Sequence, residues 1–157
     1  MGFVRPPTLE DLIVVPFTED TVELTSSGDH DAGAHKRQNI LVPEHRWATR
    51  HARTSDEWLI ADFKGVEQTF TGLGFLPRQD AWFNQVPINM KVYVPADTEN
   101  ADSNADDDNE DEWVEIFATE FERPTNASSP EQKFLIPETT CTKMKFVFHQ
   151  ENNYIGF

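Results

Sequence analysis

Only one cysteine, seven glycines and thirteen lysines or arginines occur among 157 residues, against twenty-eight aspartates and glutamates. The lone Cys141 cannot close an internal disulfide. Its neighbours Thr140 and Thr142 supply neither a cation nor a second cysteine at CxxC spacing, so a buried, inert thiol is expected. The shortage of basic residues leaves a formal net charge of −15, which repels phosphate backbones and anionic membrane surfaces. Nucleic acid and membrane are therefore excluded as partners. No apolar run approaches the roughly eighteen residues that a membrane span requires. The start "MGFVRPPTLEDLIVVPF" lacks the basic n-region and continuous h-region of a signal peptide, so a natural export signal would lie outside this chain. Gly2 opens a myristoylation pattern, but Pro7 stands where that motif carries Ser or Thr.

Catalytic signatures are missing as well. There is no nucleophile elbow, no phosphate-cradling glycine loop and no zinc signature. Glycosidases need two carboxylates at a fixed separation in a cleft, whereas the acidic residues here crowd into one stretch, Asp97 to Glu112, where nine of sixteen are Asp or Glu. Like charges at that density predict a long, mobile hairpin loop rather than a catalytic frame. The chain reads as no enzyme, and no cofactor is expected.

What the sequence does contain is short segments of β character, spaced by Gly, Pro and Asn, with little helical periodicity. The strands expected are Thr21 to Thr25, Glu57 to Phe63, Gln68 to Leu76, Ile88 to Val94, Glu112 to Phe121, Gln132 to Ile136 and Lys143 to His149. Alternation is cleanest in the last, where Met144, Phe146 and Phe148 face one way and Lys143, Lys145 and Val147 the other. Seven strands with one-sided patterning predict an all-β, two-sheet antiparallel β-sandwich. Residues 21–157 form that domain, with the acidic insertion at 97–112. Residues 1–20 contain three prolines and a "TLEDL" able to make one capped turn, and are expected to be a leader or linker.

"GLGFLPRQDAWFN", Gly72 to Asn84, begins as a buried strand and then delivers Arg78, Gln79, Asp80, Trp82 and Asn84 within seven positions. Taken with "EWLIADFKGVEQTFTGLGFLPRQD", "INMKVYVPAD", "EWVEIFATEF" and "TKMKFVFHQENN", this order resembles the discoidin, or coagulation factor 5/8 type C, family. The nearest likeness is to the family 32 carbohydrate-binding modules of bacterial glycosidases, and it spans Val22 to the C-terminus. It implies a galactose-binding-like jelly roll, whose loops at one end hold a glycan, and an extracellular or cell-surface protein with an upstream or downstream catalytic domain. A galactose-type or related sugar is the ligand class so implied.

Under that resemblance Arg78 supplies a hydrogen-bonding fork and Gln79 lies beside it. Asn84 falls where the family's loop often carries a sugar-contacting Asn. Trp82 or Tyr154 supplies the flat apolar plate that a pyranose face requires. Two departures stand out. "RWATR" puts Ala48 where galactose-specific relatives carry a His, which leaves His51 as the residue able to reach back into the site. The turns that hold a structural calcium in the family, an "IDGD" and a C-terminal "AE" pair, are replaced by "ILVPEH" and by an ending at Phe157, so no metal is expected.

Each feature has a plainer reading beside it. Arg78 could pair with Asp80 or Asp62 at the surface, and Asn84 is a common turn residue. Trp47, Trp58 and Trp113 sit in or beside strands and are expected in the core. His30, His35, His45 and His51 cluster with Asp29 and Asp31, yet their spacing fits no rigid metal scaffold, so they read as solvated loop residues. The acidic stretch lacks the glycine and flanking helices of an EF-hand. Asn126-Ala127-Ser128 has the form of a glycosylation sequon. The function expected is a non-catalytic glycan-binding module; the alternative is a protein-interaction or adhesion domain of the discoidin type.

Overall fold

The computed structural model describes residues 8–12, 17–27, 57–79, 81, 83–96, 112–149 and 157. Seven strands account for most of them: β1 (Glu23–Ser26), β2 (Glu57–Asp62), β3 (Gln68–Phe75), β4 (Asn89–Pro95), β5 (Trp113–Glu120), β6 (Gln132–Cys141) and β7 (Lys143–His149). All pairings are antiparallel, in one five-stranded sheet of order β1-β2-β7-β4-β5 and one two-stranded sheet, β3-β6. This is the expected two-sheet β-sandwich. The acidic residues 97–111 and the histidine cluster lie outside the described residues.

The core follows from strand alternation. Leu24, Leu59, Ala61, Met90, Val92, Met144, Phe146 and Phe148 project from one face of the large sheet and meet Leu73 and Ile136 of the small one. Phe75 packs edge-on against Phe121, Phe146 and Phe148 at ring-centroid distances of 5.6, 5.5 and 6.0 Å, and lies tilted against Phe157 at 5.2 Å. Phe17, Phe63 and Phe70 form a second cluster. Of these rings Phe63, Phe146 and Phe148 are buried, each contributing about 1.5–3 kcal/mol, and the partly buried others close around them.

Two details depart from expectation. β6 continues past Pro137 to Cys141, where a stop at Ile136 was expected. Pairing jumps from Phe70↔Thr139 to Gly72↔Leu135, and this bulge accommodates a residue that cannot donate to the ladder. Trp58 and Trp113, expected in the core, stand half-buried on the outer face of the large sheet. In β2 the inward positions are Glu57, Leu59 and Ala61, and Trp58 shares the outward phase with Ile60 and Asp62.

After β2 the chain reverses through Lys64 (φ 57°) and Gly65 (φ 79°). A glycine at the second position meets the left-handed requirement without a Cβ penalty, and Lys64 is held there by its N–H donating to Asp62 Oδ1 at 2.8 Å. The "TLEDL" turn is present as a 3₁₀ turn, Leu9–Asp11, with Thr8 N and Oγ1 donating to Asp11 Oδ2 at 2.8 and 3.0 Å. Leu12 lies over Gly72 so closely that a Cβ there would come within 2.6 Å of both Leu12 δ-methyls. This part of the leader therefore packs on the small sheet.

Candidate functional site

Strand polarity gathers the candidate residues before any side chain is considered. β1 ends at Ser26, β2 begins at Glu57, β7 ends at His149 and β4 begins at Asn89, all at one end of the large sheet. β3 ends and β6 begins at the same end, since Phe75 pairs with Gln132 and packs on Phe121 and Phe148. The segments that contain His51, residues 76–88 and Tyr154 thus all leave from this end. The placements of His51, Trp82 and Tyr154 themselves lie outside the described residues.

The β3–β4 loop is organised from within. Arg78 is only 4% exposed, and its Nη1 donates to Oε1 of Gln85, also 4% exposed, at 2.8 Å. The guanidinium spans the loop from its entry to the 3₁₀ turn Phe83–Gln85. Pro77 and Pro87 are fully buried on the two arms. Exposed Gln79 clips the loop to its neighbour, its Nε2 donating to Pro77 O at 2.7 Å and to Ser129 O at 3.0 Å. Ser129 belongs to the β5–β6 connection, itself tightened by Asn126 Oδ1 accepting from Ser128 N and by Ser129 Oγ donating to Asn126 O.

Asn84 sits in that 3₁₀ turn, half-buried. Its Oδ1 is enclosed and has no hydrogen-bond partner among the described residues. A buried acceptor left unpaired costs about 1–3 kcal/mol. Leu76 (52% exposed) and Ile88 (39% exposed) flank the loop with aliphatic surface.

Two residues at or near this end were not singled out by sequence reasoning. Gln85 is the receptor of the Arg78 fork, and nothing in its sequence context marks it. Glu57 is 2% exposed and accepts from the Ser27 hydroxyl, which pins the exit of β1 to the entry of β2. At the other end of the chain's chemistry, Cys141 is buried as expected, and desolvation pushes its thiol up to about 11 against a lowering by a backbone hydrogen bond from Lys143. Among the described residues there is no group of three His, Cys, Asp or Glu side chains able to hold a metal, and no helix long and apolar enough to cross a membrane.

No protein-family model matches the chain, and no curated protein matches it by sequence. Solved structures do. The chain is similar to CpGH89CBM32-5 from Clostridium perfringens, in complex with GalNAc-β-1,3-galactose, at TM-score 0.64 and 13% identity, covering 86% of this chain and 89% of that one. It is similar to the family 32 module of C. perfringens NanJ, in complex with galactose, at TM-score 0.63 and 8% identity, covering 86% and 88%. It is also similar to chitosan-binding module 2 of a Paenibacillus sp. IK-5 chitosanase/glucanase, in complex with chitotriose, at TM-score 0.60 and 12% identity, covering 87% and 91%. The chain has the fold of the family 32 carbohydrate-binding modules, the discoidin-like β-sandwich.

Proposed function

We propose that this domain is a non-catalytic carbohydrate-binding module that takes a glycan at the loop end of the sandwich. The observation that carries the reading is the enclosed, unpartnered Oδ1 of Asn84, held on a loop braced by Arg78, Gln85 and Gln79. Preorganisation matters because a monosaccharide-sized ligand offers few atoms, and an acceptor already fixed in place spares the entropy of ordering it. Arg78 acts in this reading as a positioning residue that sets the turn carrying Asn84. Trp82, Tyr154 and His51 complete the proposed ligand set as apolar plate and polar partner, with a galactose-type or related sugar as ligand. The similar modules above are bound to galactose-containing and chitosan-derived sugars, which supports a sugar ligand without selecting one. Affinity at such a shallow site falls on the order of 10 µM to millimolar. The parent would be an exported, glycan-active protein in which several modules raise avidity.

The test is a glycan array with the purified domain, followed by calorimetry on its best ligand. Asn84→Ala is expected to weaken binding by about 1–2 kcal/mol, roughly tenfold, with no fall in melting temperature, since the substitution removes an unpaired buried acceptor. An array that stays blank while a protein partner is captured would favour the adhesion reading, for which the exposed Leu76 and Ile88 beside the loop are the supporting feature.

A further inference from the structure

The outer face of the five-stranded sheet carries two half-buried indoles around one lysine. Lys145 of β7 stands opposite Ile60 of β2 and Tyr93 of β4. Its Nζ lies 5.8 Å from the ring centre of Trp58 and 5.6 Å from that of Trp113. The two indoles, contributed by β2 and by the edge strand β5, thus flank one cation. Beside them runs an open groove of about 230 Å³ lined by Glu23, Thr25, Ile60, Asp62, Trp113 and Lys143.

We propose that this groove is a second glycan-binding surface, separate from the loop end, that takes a neutral hexose or N-acetylhexosamine oligosaccharide. Trp113, half-buried on the solvent face and part of the groove wall, combines a large flat apolar surface with fixed orientation, which suits the C–H face of a pyranose, and Trp58 stands beyond it across Lys145. The carboxylates of Glu23 and Asp62 and the hydroxyl of Thr25 provide acceptors for sugar hydroxyls, and Thr25 and Lys143 provide donors. Two carboxylates and one ammonium line the groove itself, with Lys145 beyond it against the indoles, so a polyanionic chain is disfavoured. At about 230 Å³ the groove lies below the range of pockets for drug-sized ligands and suits a single sugar ring. The cross-strand ladder holds these side chains in place, since Asp62↔Lys143 and Ile60↔Lys145 are directly paired and Glu23↔Asp62 and Thr25↔Ile60 extend the same rows. The ligand class rests on the glycan-binding reading above; the location does not.

The test is a nitrogen–proton correlation NMR titration of the protein with cellohexaose, hexa-N-acetylchitohexaose, mannohexaose and a galactan hexamer, each up to about 10 mM, the weak end expected for so open a site. The indole N–H resonances of Trp58 and Trp113 are assigned with Trp58→Phe and Trp113→Phe. At least one hexasaccharide is expected to move both indole resonances, equally in the unmodified protein and in Asn84→Ala. Trp113→Ala is expected to lower that affinity tenfold or more while any response at the Asn84 amide persists. Indoles that stay still with all four sugars overturn the second surface, as does a response that disappears in Asn84→Ala. Failure of the loop reading is distinct: the indoles respond and the Asn84 amide does not.

Discussion

At the scale of single residues, burial decides what Arg78 does. An arginine fork that emerges from a strand reads in sequence as a ligand contact, but here its Nη1 is committed to a glutamine seven positions on. Truncating it leaves Gln85 enclosed without this donor, and Arg78→Ala is therefore expected to cost about 2–3 kcal/mol of stability. In a domain of this size that is a fall of roughly 4–12 °C in melting temperature, checked by thermal denaturation. Cys141 gives a second residue-scale expectation. Its thiol pKa is raised from 9.0 in the unfolded chain to about 11 in the fold, so the unfolded state loses its proton first as pH rises. The thiol's contribution is whole below pH 9 and is lost between about 9 and 11. Labelling by a thiol reagent at pH 8 is accordingly expected to require unfolding, and a denaturant series that tracks labelling against fluorescence would check it.

At the scale of elements, strand phase was legible where the two faces of a strand differ in chemistry. β7 alternates Met144, Phe146 and Phe148 with lysines, and its inward face was read correctly. β2 was located correctly but its phase was not, because "EWLIADF" is almost equally apolar on both faces. The inward face even contains Glu57, made tolerable by the Ser27 hydroxyl, a long-range partner that no local pattern reveals. The outward Trp58 was hidden by the same ambiguity, and the size of tryptophan argued for the core. β6 was cut short at Pro137, since a proline ends most strands; only the register shift opposite Thr71 shows how it is carried. The loop that follows β3 was legible as a place, while the Arg78–Gln85 strut within it was not. The β4–β5 hairpin carries its own prediction. Pairing runs to Pro95↔Trp113 and is closed by Ala96 N donating to Glu112 O at 2.7 Å. Replacing Thr98 to Asp111 with a short Gly-Ser turn is therefore expected to leave the melting temperature within a few degrees, because closure entropy changes slowly with loop length.

At the scale of the whole molecule, the expected lack of calcium ligands in "ILVPEH" predicts that a chelator leaves the melting temperature within about 2 °C, as scanning calorimetry with and without EDTA would show. The sandwich also has two unlike poles. The loops proposed to hold sugar leave from one end, and the chain exits β4 and enters β5 at the other, where the nine carboxylates between Asp97 and Glu112 are tethered. Because their points of attachment, Ala96 and Glu112, lie at the pole away from the proposed sugar loops, screening those carboxylates with salt beyond about 0.1 M is expected to leave glycan affinity unchanged, which calorimetry at two salt concentrations would check.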